Sequence, residues 1–203
     1  IMNAIFRHHP HFGVETDNPS ERLPESSLKK VAIEGGDVLV LSDDVLIIGT
    51  GMRTSTQGID FIIETLKNDQ GRKKYIVVQE LPDSPESFIH LDMVFTILGK
   101  EHCMVFEPLI TGHNLYRTIL ITIEGNKVQS IGTEPNLLFA LKKLGFDFKP
   151  IWCGGTDSWN QEREQWHSGA NFLALSPGVI MGYERNIHTI EELSANGFSV
   201  ITA

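Results

Sequence analysis

From Glu34 onward, short apolar runs rich in Val and Ile alternate with tight polar turns and longer amphipathic stretches. Val38–Leu41 and Val45–Ile48 flank Ser42-Asp43-Asp44, which predicts two strands joined by a turn. A loop over Gly49–Gln57, a helix over Ile59–Lys67 and a strand over Tyr75–Gln79 complete this first group. A second group opens at His90-Leu91-Asp92 and predicts strands over Met93–Leu98 and Cys103–Phe106. An additional hairpin follows, Thr118–Ile123 and Val128–Ile131 around Glu124-Gly125-Asn126. A helix over Glu134–Leu144, with Thr133 as N-cap and Gly145 past its end, leads to a strand over Phe148–Trp152. The third group opens at Gly169-Ala170-Asn171, with strands over Phe172–Leu175 and Val179–Met181 around Ser176-Pro177-Gly178. Thr189 is read as the cap of a helix over Ile190–Ala195, which Gly197 ends before a strand over Phe198–Thr202.

The order strand–turn–strand–helix–strand thus occurs three times, which predicts an α/β protein of repeated ββαβ units. A polar triplet opens each unit. If the units stand around an axis, Asp37, Asp92 and Asn171 converge; the alternative is that polar residues simply precede strands. Residues 1–33 read as an extended lead-in and connection. Within them, 13–30 is polar, aperiodic and contains Pro19 and Pro24.

Composition narrows the class. Hydrophobic residues at 41% and charged residues at 21% of a 203-residue chain suit a water-soluble globular domain or a piece of one. Acidic residues outnumber basic ones, 26 to 17, which argues against a nucleic-acid or anionic-membrane partner. No apolar run is long enough for a transmembrane helix. Cys103 and Cys153 form neither a disulfide framework nor a CxxC metal pattern, so a reducing compartment is the easier reading. The first residue is Ile rather than Met, and we expect sequence upstream of it.

Three clusters could carry chemistry. In an extended segment, His90 and Asp92 would share a face with Leu91 buried behind, an acid/base pair or a cation-orienting pair; a surface His-x-Asp is the plain alternative. Glu34-Gly35-Gly36-Asp37 places two acids at the rim of an apolar strand. Buried carboxylates need a cation, and a guanidinium matches them best; the alternative is a solvated Gly-Gly turn. Arg53 could clamp a substrate carboxylate or be an ordinary loop arginine. His8, His9 and His11 match no zinc pattern, and Trp152, Trp159 and Trp166 read as packing residues. No P-loop, dinucleotide fingerprint or nucleophile elbow occurs.

Taken in order, IFRHHPHF, IEGGDVLVL, MRTSTQGI, FIHLDMVFT, CGGTD and EREQWHSGANFLALSPGVIMGYERN resemble the arginine deiminase family over nearly the whole chain. The resemblance implies a partial α/β-propeller (pentein) of about three ββαβ units, from the C-terminal part of the family's catalytic domain. It implies hydrolysis of L-arginine to citrulline and ammonia through a cysteine thiouronium intermediate, with no cofactor and no metal, in the cytoplasm. It assigns His90 as general acid/base, Asp92 and Glu34 as guanidinium holders with Glu34 also holding the histidine, and Arg53 as the α-carboxylate clamp. Met52 stands where the family has glutamate. Asp37 and Asn171 match positions near the substrate and are expected among the substrate-binding residues, without a firm individual role, and Arg185 matches without an assigned role. The family's nucleophilic cysteine falls after the last residue here, and neither Cys103 nor Cys153 matches it; the 203-residue chain alone is therefore expected to be inactive. Exposed strand edges of an incomplete propeller are expected to favour homo-oligomers. An amidinotransferase of the same superfamily and a non-catalytic binding module are the alternative functions.

Overall fold

The structure is a computed structural model that describes residues 5–6, 8–12, 16–28, 30–67 and 72–203. Strands β1 (Val38–Ser42) and β2 (Val45–Thr50) form an antiparallel hairpin, and helix α1 (Thr56–Lys67) returns the chain so that β3 (Lys74–Glu80) lies parallel to β2. The pattern recurs with β4 (Phe95–Ile97) and β5 (His102–Val105). After a hairpin of β6 (Thr118–Glu124) and β7 (Lys127–Glu134), helix α2 (Leu137–Lys143) leads into β8 (Lys149–Trp152), parallel to β5. Helix α3 (Ser158–Trp166) precedes the third copy, β9 (Leu173–Ser176), β10 (Val179–Gly182), α4 (Ile187–Ala195) and β11 (Ser199–Thr202). In this last sheet β10 pairs antiparallel with β9 and parallel with β11. Three mixed α/β sheets result, as the repeated pattern predicts.

The β6–β7 hairpin sits elsewhere than its place in the sequence suggests. It extends the first sheet, in the order β1-β2-β3-β6-β7, rather than the second. β6 pairs antiparallel along β3 from Lys74↔Ile123 to Gln79↔Thr118. The Thr118 hydroxyl donates to Gln79 Oε1 at 2.7 Å at the end of that ladder.

Alternation along the central strands builds two cores from one sheet. Ile47 and Val77 face a cluster with Leu91, Phe95, Val105, Leu137 and Leu141, which welds the first sheet to the second. Their neighbours Ile48, Ile76 and Val78 face the other way, under Ile59 and Ile63 of α1. A third cluster of Leu98, Met104, Ile151, Phe172, Ile180 and Leu193 joins the second sheet to the third.

Several local expectations are corrected. The lead-in contains helical turns at Pro19–Arg22 and Glu25–Leu28, the first capped by Asn18 and started by Pro19, whose fixed φ suits that position; residues 13–15 and 29 lie outside the described residues. The strand expected over Met93–Leu98 is shortened because Leu91–Met93 forms a 3₁₀ turn. Asn136, not Thr133, caps α2, accepting from Phe139 N at 2.8 Å, because β7 continues through Glu134. The sequence pattern predicts no helix where α3 lies. Its buried residues are Gln161, Glu164 and Gln165, so it has no apolar stripe to betray it.

Thr189 lies inside the first turn of α4 rather than at its cap. Asn186 occupies the cap position without a side-chain capping bond. The cap comes from α3: the fully buried Glu164 carboxylate accepts from His188 N at 3.0 Å, Thr189 N at 2.8 Å and Thr189 Oγ1 at 2.7 Å. A carboxylate at a helix N-terminus satisfies orphan amides and the helix dipole together. Glu164→Ala should therefore cost on the order of 3 kcal/mol of unfolding free energy in urea, from two unsatisfied amides and the lost dipole contact. The exposed Glu191→Ala should cost less than about 0.5 kcal/mol; equal effects of the two would refute the capping role.

Candidate active site

Two of the unit openings share a backbone design. Glu34 and His90 are each extended and each precede a 3₁₀ turn, Gly35–Asp37 and Leu91–Met93, that runs into the unit's first strands. The HLD segment is thus a turn rather than a strand, but Leu91 is fully buried, so His90 and Asp92 project from a fixed base. The His90 ring lies over Gly36, where a Cβ would stand 2.8 Å from the imidazole. That glycine is required by close approach.

The two openings meet side chain to side chain. His90 Nε2 and Glu34 Oε2 share a hydrogen bond of 2.6 Å. An ionised carboxylate only accepts, so the ring supplies this proton. Arg53 Nη1 stands 3.5 Å from the other Glu34 oxygen. All three side chains keep part of their surface in water. The His90 bond, ahead of the Arg53 and His90 charges, holds the Glu34 carboxyl below the usual glutamate range against partial burial.

Beneath this rim Asp37 is fully buried. Its Oδ1 accepts from Leu91 N at 2.8 Å and its Oδ2 from the Thr54 hydroxyl at 2.7 Å. Thr54 Oγ1 also accepts from Glu34 N at 3.1 Å. Burial pushes the Asp37 carboxyl up, opposed by the Thr54 and Leu91 bonds. Gly49 of β2 makes room for this arrangement, since a Cβ there would lie 2.5 Å from Asp37 Oδ1 and 2.8 Å from Leu91 Cβ. Arg53-Thr54-Ser55 therefore divides three tasks. Arg53 faces Glu34, Thr54 ties the loop to Asp37, and Ser55 Oγ donates to Lys30 O at 2.8 Å and accepts from Gly58 N at 3.0 Å at the start of α1.

Asp92 completes the group. Its Oδ1 is buried without a hydrogen-bond partner among the described residues. Burial raises the Asp92 carboxyl, and the Asp37 charge adds to the rise; His90 and the Asn171 side chain oppose it. The structure thus brings Glu34, Asp37, His90, Asp92 and Asn171 to one place, with Arg53 beside Glu34. Asn171 Nδ2 also approaches Met93 Sδ at 3.8 Å. Thr54 is the member that sequence reasoning passed over; only its place between Arg53 and Ser55 hinted at it.

Other candidates stand apart. Arg185 stacks its guanidinium on the Tyr183 ring at 4.8 Å. Cys103 in β5 and Cys153 after β8 are fully buried, and burial pushes both thiols up to about 12, the reverse of what a nucleophile needs. Among the described residues no group of three or more His, Cys, Asp or Glu side chains is arranged to hold a metal ion, and no helix is long and apolar enough to cross a membrane.

The arrangement can hold a small planar cation. It offers an unpaired buried acceptor on Asp92, a carboxylate on Glu34, and, hydrogen-bonded to Glu34, an imidazole that can pass protons. A family model described as arginine deiminase matches residues 1–203. The arginine deiminase of Bacillus cereus is 34% identical over 205 residues, covering 99% of this chain and 48% of the relative. That of Mycoplasma capricolum subsp. capricolum is 33% identical over 202 residues, covering 98% and 48%. The chain spans about half the length of the curated relatives it matches. In fold it is similar to the N-terminal domain of ArgZ, a cyanobacterial arginine dihydrolase crystallised with its substrate, at a TM-score of 0.53 and 17% identity over 89% of this chain and 52% of that one. It is equally similar to SxtG, an amidinotransferase from Microseira wollei, at a TM-score of 0.53 and 15% identity over 95% and 46%.

The raised carboxyl of Asp92 has a testable sign. A carboxyl with a raised folded-state pKa contributes stability that is complete below its unfolded value and is lost as pH rises through the folded value. Asp92→Asn removes that loss. Urea unfolding should show the variant gaining on the wild type from about pH 4 upward, then levelling above the raised value. A difference that is flat or falls with pH would contradict the burial cost assigned to this carboxylate.

Proposed function

The chain belongs to the arginine deiminase family, and we propose that its parent protein hydrolyses the guanidino group of L-arginine to citrulline and ammonia. The observation that carries this reading is the buried, unpartnered Oδ1 of Asp92 beside the His90–Glu34 pair. A guanidinium presents planar N–H donors that match two carboxylates at once, and no uncharged ligand would offset the desolvation of both so well.

In this account Asp92 and Glu34 hold the guanidinium, and Arg53, already at the rim, takes the substrate α-carboxylate. A cysteine thiolate attacks the guanidinium carbon. His90 gives its proton to the departing ammonia as the carbon–nitrogen bond breaks, leaving an S-alkylthiouronium. His90 then takes a proton from water as its oxygen bonds to that carbon; the carbon–sulfur bond breaks with its electron pair returning to the thiolate, the remaining hydroxyl proton passes to solvent, and citrulline leaves. Asp37 works from beneath: with both oxygens engaged in the protein, it is assigned the task of fixing Leu91 and Thr54 rather than touching substrate. Asn171 steadies Asp92. The thiolate comes from outside this chain, because the thiols of Cys103 and Cys153 are buried and stay protonated near neutral pH. The three units belong to a closed α/β-propeller in the parent, working in the cytoplasm without a cofactor.

Citrulline and ammonia should form one for one when the parent reading frame is given L-arginine. His90→Ala should lower kcat by about a thousandfold, within the usual range for loss of an acid/base group. Arg53→Ala should act chiefly on KM, by about tenfold or more. The 203-residue chain alone should form no citrulline. Transfer of the amidino group to an added amine, without citrulline, would replace hydrolysis by an amidinotransferase reading; no turnover of arginine by the parent under either condition would leave a binding module.

A further inference from the structure

We propose that Gln165 is a positioning residue: from inside α3 its side-chain amide grips the backbone on both sides of His90-Leu91-Asp92 and fixes where the imidazole and the Asp92 carboxylate stand. The assignment rests on the reading of the site given above and adds a residue to it. Gln165 is 2% exposed. Its Nε2 donates to Ser87 O and reaches Met93 O at 3.5 Å. Ser87 lies three residues before His90 and Met93 three residues after it. A primary amide carries two coplanar N–H donors, so one group can serve two carbonyls; neither a carboxylate nor an apolar side chain of that length can.

The segment needs an outside anchor. It consists of two short 3₁₀ turns, Glu86–Phe88 and Leu91–Met93, whose bonds reach only three residues along the chain. Asp37 secures one side through Leu91 N. Gln165 secures the carbonyls of Ser87 and Met93 from α3, so the segment that carries the His90 ring is held by two separate elements. Helix α3 is itself held firmly enough for the task. Asp157 caps it through Asn160 N at 3.0 Å, Gln161 Nε2 donates to Gly155 O at 2.8 Å and Glu107 Oε2 at 3.0 Å, and Glu164 binds the start of α4. This gives the polar inner face of α3 a purpose. Gln161 and Glu164 fix the helix, and Gln165 transmits its position to the site.

The test compares Gln165→Met, which keeps the length and removes both donors, with Gln161→Met, a change of equal burial and chemistry one turn away. The readout is the titration of the Glu34 side-chain carboxyl, followed by carbon-13 NMR in the 203-residue chain, because that carboxyl senses whether the His90 ring stays on it. The wild type should titrate below the usual glutamate range. Gln165→Met should move the midpoint up by about half a pH unit or more, while Gln161→Met, which loosens one end of α3 but leaves both Gln165 donors in place, should move it by clearly less. No movement in Gln165→Met, or equal movement in both variants, overturns the proposal. If Gln165→Met does not fold, the wild type still decides: both Gln165 amide protons should exchange slowly with solvent, and rapid exchange of the pair overturns the assignment. None of these readouts needs turnover, so failure of the parent to form citrulline would count against the proposed reaction alone.

Discussion

One buried carboxylate organises the site. Asp37 starts the first hairpin, yet its two oxygens are spent on two other segments, the amide of Leu91 and the hydroxyl of Thr54. Through the first bond the second unit's opening is registered against the first. Through the second, the loop carrying Arg53 is registered against both, and Thr54 also accepts the Glu34 amide. Such a knot is worthwhile only if complete, because each partner left unpaired in the interior costs about 1–3 kcal/mol. The glycine at position 49 and the buried Leu91 are the sequence's concessions to it.

Above the knot the electrostatics are deliberately uneven. Glu34 is held below its usual range, chiefly by the His90 hydrogen bond, while Asp37 and Asp92 are pushed up, chiefly by burial. Neighbouring carboxylates whose environments push them apart divide roles. Glu34 holds the ring and faces water. Asp37 is satisfied by the protein. Of these three carboxylates, Asp92 is the one with a buried oxygen left without a hydrogen bond among the described residues, so it is where a bound cation gains most. Stability and ligand recognition pull against each other at that residue.

Much of this is legible in the chain, and the exceptions have physical reasons. Val45–Ile48 and Tyr75–Gln79 announce themselves because strands buried in a sheet are locally apolar, and Val38–Leu41 by its β-branched apolar run, although it lies at the sheet edge with Val40 exposed. Glu34, His90 and Asp92 stand out as polar residues bordering such runs. Helix α3 is silent because Gln161, Glu164 and Gln165 face inward to make hydrogen bonds, so burial leaves no apolar period. The β6–β7 hairpin is visible as a hairpin, but its pairing with β3 is decided by which sheet edge is near in space. Thr54 has no signature either, since a threonine in a loop gains its meaning only from Asp37, seventeen residues away. Thr189 resembles a cap because it is one hydroxyl among the right neighbours, and it loses the role to Glu164, which approaches from another helix.

The most direct measurement of the central claim is hydrogen exchange at the Leu91 amide, in the wild type and in Thr54→Val. If Asp37 holds the two unit openings together, this amide should exchange as slowly as those of β2 and β3, although it lies in a short turn. Thr54→Val, which deletes one hydroxyl at constant shape, should release it selectively while the strand amides stay protected. A Leu91 amide that exchanges at the rate of exposed turns in the wild type, or that ignores the loss of the Thr54 hydroxyl, would contradict the account.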